Sequence, residues 1–229
     1  MSHSLPHLAV IIPAAGSGSR MAHSVPKPLI RLHGMSILER TIRKFFFPGI
    51  AEMLIPVSDA VRVEAETLCR HLDAPFPVRL IEGGAQRQDS VWNALQALDA
   101  QSGIIVIHDA ARPFFDPALI AQALPLLERH AGVIAALPAV HTMKEVEKGI
   151  VRRTPERSTL WQVNTPQLFR REPLLRAYRE AIAAGFYGTD DAMLLERIGE
   201  SVAVIQDSPF NIKITTSADL LTAERILNP

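Results

Sequence analysis

Apolar side chains gather in short runs along the chain: LAVII at 8–12, MLIPV at 53–57, VRLI at 78–81, IIVI at 104–107, VIAAL at 133–137 and VAVI at 202–205. Four or five residues rich in Val and Ile, with little polar alternation, form the pattern of a strand buried on both faces. Between these runs apolar positions recur at helical spacing, over Ser36 to Phe45, Val61 to His71, Gln88 to Asp99 and Pro117 to His130. The alternation predicts an α/β fold: a doubly wound, mostly parallel sheet with helices on both faces. Ligands of such sheets bind at the carboxyl ends of the strands, so the loops there carry the functional signal.

One stretch breaks the alternation. Val140 to Val163 has little apolar periodicity, carries charges of both signs and places Lys148-Gly149 between two extended runs. Unstructured loops of this length are uncommon in compact domains. We therefore read a protruding β-hairpin at 138–163, serving as a dimerisation arm of a single domain spanning 1–229. Gly188 to Ala192 reads as a helix start capped by Thr189 or Asp190. Asn211 to Thr215 reads as a last strand-like segment, followed by a Ser217 cap and a terminal helix.

At 229 residues and 48% hydrophobic content, one large domain can bury a substantial core. The 24 basic and 24 acidic residues cancel, and no basic block marks a surface for nucleic acid or anionic lipid. A small-molecule ligand is the expectation. Cys69 is the single cysteine and the amino terminus lacks a signal pattern, which points to the cytoplasm. No apolar run approaches the roughly 20 residues of a membrane span. The eight histidines show no metal-ligand spacing.

The first strand runs directly into Pro13-Ala14-Ala15-Gly16-Ser17-Gly18-Ser19-Arg20-Met21. Small residues there let backbone amides approach a polyphosphate. Arg20 offers a fork for phosphate oxygens, and Lys27, between Pro26 and Pro28, a point charge on a restrained backbone. A lone Gly-x-Gly is more often an ordinary tight turn. Here Met21 takes the place of the third glycine of a dinucleotide fingerprint and no Gly-Lys-Ser/Thr ending follows, which disfavours nicotinamide binding and P-loop chemistry. The pattern that remains resembles the signature of sugar-phosphate nucleotidyltransferases.

Downstream, Gly83-Gly84-Ala85-Gln86-Arg87-Gln88-Asp89-Ser90 links a strand to a helix. Its glycines suit a flat base, and Asp89 or Ser90 suits a helix cap. His108-Asp109-Ala110-Ala111-Arg112 follows the most apolar strand. Asp109 there can hold Mg2+ and Arg112 can meet an anion, or the two form a structural ion pair.

Together with Thr142 to Lys144, Arg157, Leu160-Trp161, Thr165-Pro166-Gln167, Thr189-Asp190 and Asn211-Ile212-Lys213, these motifs resemble the 2-C-methyl-D-erythritol 4-phosphate cytidylyltransferases over almost the whole chain. The resemblance implies a Rossmann-like homodimeric enzyme with a swapped arm. It would join CTP and methylerythritol phosphate, with Mg2+, in the non-mevalonate route to isoprenoids. It assigns Pro13, Ala14, Ala15, Gly16, Ser17 and Gly18 to nucleotide contacts, and Gly84 and Ser90 to the cytosine. Arg20 and Lys27 stabilise the transition state. Asp109, Arg112, Thr142, Arg157, Thr165 and Lys213 surround the second substrate, with Thr142 and Arg157 reaching the partner's site. Pro28, His141 and Ala85 depart from the family's usual Gln, Asp and larger polar residue. A cytidylyltransferase for ribitol phosphate or another polyol phosphate and a noncatalytic CTP-binding regulator are the alternatives.

Overall fold

The structure, a computed structural model, describes residues 7–16, 25–99 and 102–228. The chain begins with β1 (Leu8–Ile11), a short hairpin of β2 (Arg31–Leu32) and β3 (Met35–Ser36), α1 (Ile37–Arg43), β4 (Ile50–Val57), α2 (Asp59–Arg70), β5 (Val78–Glu82), α3 (Arg87–Ala97) and β6 (Ile104–Ile107). It continues through α4 (Ala118–Ala123), β7 (Gly132–Pro138), β8 (Glu145–Glu147), β9 (Ile150–Arg153), β10 (Trp161–Arg170), α5 (Arg171–Ala183), α6 (Ala192–Arg197), β11 (Val202–Gln206) and α7 (Ser217–Leu227).

A seven-stranded sheet in the order β11-β7-β10-β6-β1-β4-β5 forms the centre. All six expected runs are strands in it. Each of these pairs in parallel where it meets another of them, while β10 runs antiparallel between β6 and β7. Side chains alternate between two cores: Leu8, Val10 and Ile12 face one cluster with Leu38, Val61 and Ile120, while Ala9 and Ile11 face the other with Val91, Leu174 and Leu195. Burial on both faces is why these strands read as continuous apolar runs.

The structure departs from the sequence reading in four places. The strand β10 was not expected; it carries Asn164, Thr165 and Gln167 buried inside the sheet, and its Thr165–Pro166 peptide bond is cis. Because Trp161, Gln162 and Val163 pair with β7, the arm is shorter than 138–163 and leaves the sheet only between Ala139 and Leu160. Asn211 to Thr215 forms no strand, and the cap of α7 is Thr216, whose side chain accepts from Asp219 N, rather than Ser217. The helix expected to reach His130 ends at Ala123 and continues as a 3-10 turn, because Pro125 supplies no amide for another α-helical bond.

The hairpin itself is as expected. Strands β8 and β9 pair antiparallel around Lys148 and Gly149, whose φ angles of +49° and +80° are those of the tight turn that joins two strands. Val146, Ile150 and Val151 on it are exposed.

Candidate active site

Chain segments converge at the carboxyl edge of the sheet. The glycine loop follows β1, the 83–87 turn follows β5, Asp109 follows β6 and Lys213 follows β11, with Thr165 in the middle of β10. Two cavities open there. The first, about 440 Å3, is walled by Pro13 to Gly16, Lys27, Pro28, Gly84 to Arg87, Ser90, Asp109 to Ala111 and Lys213. The second, about 470 Å3, is walled by Arg112, Ile134, Val163 to Thr165, Gln167, Thr189, Asp190, Met193 and Glu196. Arg87, Asp109 and Lys213 belong to both.

The first cavity owes its shape to two close approaches. The amide of Ala14 donates to Pro56 O and that of Gly83 to Val57 O, which holds the glycine loop beside the second glycine turn. A Cβ on Gly83 would lie 2.3 Å from that of Ala15, and one on Gly84 would lie 2.3 Å from that of Asp89. Both glycines are therefore required for packing. Ser90 staples the same turn: Gly84 N donates to its hydroxyl, which donates to Gln86 O. Asp89 accepts from Gln86 N at 2.9 Å, so the cap of α3 begins at Gln86, with Asp89 as its reciprocal partner and not as the first residue.

Three cations meet Asp109. Lys213 Nζ stands 2.7 Å from Oδ2, Arg87 Nε 3.1 Å from Oδ1 and Arg112 Nε 3.8 Å from Oδ2. Burial alone would raise the carboxyl's pKa, but Arg87, then Lys213, then Arg112 outweigh it and hold the group far below the usual carboxylate range. Arg87 is pulled the other way by burial. Asp191 and Asp109 more than offset this, so it stays firmly protonated. Arg112 is buried, with its pKa lowered mainly by desolvation, and donates to Asn211 O at 2.8 Å. Arg112 thus forms the structural ion pair with Asp109 and also lines the second cavity.

Behind Asp109 lies a determined hydrogen-bond chain. His108 Nε2 is 2.9 Å from Arg112 O, which can only accept, so Nε2 carries the proton and Nδ1 accepts. Thr165 then donates its hydroxyl proton to Nδ1 at 3.1 Å and accepts from Asp109 N at 3.0 Å. Burial lowers the His108 pKa to about 4, which keeps the ring neutral at physiological pH. The Thr165 hydroxyl is thus committed as both donor and acceptor and acts first as a support for Asp109.

The structure brings together Pro13, Ala14, Ala15, Gly16, Lys27, Gly84, Ser90, Asp109, Arg112, Thr165 and Lys213. Ser17, Gly18 and Arg20 lie outside the described residues. Thr142 and Arg157 line neither cavity; both are exposed on the arm, with Arg157 donating to Val140 O. Thr189 and Asp190, expected only as a cap, line the second cavity; Asp190 also accepts from Met193 N near the start of α6. Arg87 was missed as a site residue. A cation in the first turn of a helix opposes the macrodipole, and that was the available signal.

A family model described as 2-C-methyl-D-erythritol 4-phosphate cytidylyltransferase matches residues 8–229. A relative of that name from Symbiobacterium thermophilum is 44% identical over 222 residues, covering 96% of this chain and 92% of the relative. One from Clostridioides difficile is 38% identical over 224 residues, covering 96% and 93%. Among solved structures, 4-diphosphocytidyl-2C-methyl-D-erythritol synthase from Anaerococcus prevotii superposes with a TM-score of 0.86 at 28% identity, covering 99% of this chain and 100% of that one. The Thermus thermophilus 2-C-methyl-D-erythritol 4-phosphate cytidylyltransferase gives 0.77 at 29% identity, covering 97% and 100%. With the fold, the paired cavities and near-complete coverage in agreement, the chain belongs to the 2-C-methyl-D-erythritol 4-phosphate cytidylyltransferase family.

Proposed function

We propose that this enzyme transfers the cytidylyl group of CTP to 2-C-methyl-D-erythritol 4-phosphate, giving 4-diphosphocytidyl-2-C-methyl-D-erythritol and pyrophosphate, in isoprenoid precursor synthesis. The observation that carries this reading is the pair of cavities meeting at Arg87, Asp109 and Lys213. A nucleotide phosphate bound in the glycine-walled cavity and an alcohol phosphate bound in the other would face each other across that wall.

An oxygen of the substrate phosphate attacks the α-phosphorus in line. A new P–O bond forms as the bond from the α-phosphorus to the β-bridging oxygen breaks, and pyrophosphate leaves with that electron pair. The second pKa of a phosphate monoester is near 6, so the nucleophile is already an anion and needs no general base. His108, neutral and bonded at both nitrogens, is in keeping with this. Lys27 and Arg20 would neutralise charge developing on the leaving group, and Lys213 would orient the incoming phosphate.

Asp109 offers one hard oxygen ligand at the shared wall, and among the described residues no group of three or more His, Cys, Asp or Glu could hold a metal. With its two oxygens already facing Lys213 and Arg87, Asp109 would serve Mg2+ through the ion's waters, and the ion would be held chiefly by triphosphate oxygens and water. The ion would supply further neutralisation of the triphosphate.

The arm supports a homodimer. It carries exposed Val146, Ile150 and Val151, and among the described residues its Thr142 and Arg157 line neither cavity at the sheet edge of their own chain. A second copy would receive them. No described helix is long and apolar enough to cross a membrane, and we place the enzyme in the cytoplasm. Pyrophosphate release with Mg2+, measured for CTP, UTP, ATP and GTP against methylerythritol phosphate and ribitol phosphate, tests the assignment. Release confined to CTP with methylerythritol phosphate is expected. Preference for ribitol phosphate would reassign the substrate, and CTP binding without release in any pairing would make the chain a regulator.

A further inference from the structure

Arg87 is the one side chain at the shared wall whose own support reaches deep into the interior. Its Nε donates to Asp109 Oδ1, and its Nη2 stands 2.8 Å from Asp191 Oδ2 as an ion pair that is not aligned as a hydrogen bond. Asp191, 1% exposed at the start of α6, accepts at 2.5 Å from the hydroxyl of Tyr178, a fully buried residue of α5. The Tyr178 ring stacks on Trp92 of α3, 5.9 Å between centroids and 9° from parallel. Tyr178, Asp191, Arg87 and Asp109 thus form one line from the second core to the site, crossing α5, α6, α3 and the end of β6.

The line has a specific consequence for Asp109. The terminal torsion of an aspartate is soft and nearly two-fold, so its carboxylate plane is fixed only by partners on both oxygens. Lys213 and Arg112 both stand on the Oδ2 side. Oδ1 is held by Arg87. Without Arg87 the carboxylate is drawn toward Lys213 and Arg112 and no longer stands in the wall between the cavities. Asp191 would also be left as a buried, unpaired charge, which is costly. A cation at the start of α3 works against the helix dipole, so the position is not explained by helix stability.

We propose that Arg87, braced by Asp191 and Tyr178, is a positioning residue for the transfer step: it sets the orientation of Asp109 and, through it, of Lys213 at the junction of the two cavities. This rests on the cytidylyl transfer proposed above. The test compares wild type, Arg87→Lys, Tyr178→Phe and the double variant, recording kcat and KM for CTP and methylerythritol phosphate alongside thermal midpoints. Lysine keeps a charge but cannot reach both carboxylates. Tyr178 lines neither cavity, and its change to Phe removes one oxygen.

Misplacement of a reacting group by about 1 Å costs up to about 100-fold. On that scale Arg87→Lys lowers kcat by about 30- to 100-fold, with either KM moved by less than about threefold. Tyr178→Phe lowers kcat by about 5- to 10-fold alone and by nothing further in the Arg87→Lys background, because both act through one line. A Tyr178→Phe protein with a lowered thermal midpoint and wild-type kcat overturns the inference, and so do losses that multiply in the double variant. If Arg87→Lys fails to fold, the kcat of Tyr178→Phe decides alone. Absence of turnover in the wild type would instead overturn the proposed reaction.

Discussion

At Thr165 a single hydroxyl joins the Asp109 amide to the His108 ring, and the sequence placed neither contact. The HDAAR motif was legible as a site because a carboxylate and an arginine follow an apolar strand. The relay was not, because His108 and Thr165 are 57 residues apart and meet only when β10 enters the sheet between β6 and β7. Thr165→Val leaves His108 Nδ1 and Asp109 N–H buried without partners, at about 1–3 kcal/mol for each such group. Denaturant titration should show a loss of about 2–4 kcal/mol, whereas Thr165→Ser, which keeps the hydroxyl, stays within about 1 kcal/mol of wild type. A Val variant as stable as wild type would refute the relay.

His108 also sets a pH dependence. In the unfolded chain it takes up a proton near its ordinary value of 6.5, but in the folded protein only near 4. Between those values the unfolded state binds more protons, so stability is full above about pH 6.5 and falls as pH drops toward 4, by about 3 kcal/mol in all. Asp109, held far below the usual carboxylate range, adds its own loss only in more acid solution. A His108→Gln variant should show a flatter profile between pH 6.5 and 4. An identical slope in the variant would place the titration elsewhere.

Among the elements, the strands buried on both faces were the legible ones, since β-branched runs such as Ile104 to Ile107 have no other economical home. Strand β10 escaped notice for the opposite reason. Its centre, Asn164-Thr165-Pro166-Gln167, is polar and contains proline, and it is stable inside the sheet only because Asp207, His108 and Asp190 receive its donors. The glycine turns make a sharper prediction. Gly83→Ala forces the glycine loop off the 83–87 turn, and crowding of this kind costs about 1–3 kcal/mol. We expect a loss of that size together with a raised KM for CTP. An unchanged KM would mean that the two loops are not jointly part of the nucleotide cavity.

The arm can be tested as an element by mixing. Arg157→Ala and Lys213→Ala are each expected to be nearly inactive. If arms reach across a dimer, an equal mixture that exchanges subunits regains about a quarter of wild-type activity: half the dimers are mixed, and one site in each carries both residues. Exchanged but inactive mixtures would confine Arg157 to its own chain.

On the scale of the whole molecule, the sheet brings loops from distant parts of the chain to one edge, and the charges collected there are what the proposed reaction requires. Around Asp109 stand three cations against one carboxylate, with Asp191 behind Arg87 and with Asp190 and Glu196 farther along the second cavity, so positive charge is concentrated at the wall between the cavities. Two polyanions brought together there exchange water for a field that is already in place. The overall balance of 24 basic and 24 acidic residues conceals this local excess, which is why composition pointed only to a small ligand. The most direct measurement is a phosphorus NMR time course of the enzyme with Mg2+, CTP and methylerythritol phosphate. Pyrophosphate appearing in step with a pair of coupled diphosphate resonances would show that the substrate phosphate has taken the α-phosphorus. Pyrophosphate accompanied by CMP, with the methylerythritol phosphate signal unchanged, would show that water attacks instead and would contradict transfer at the junction.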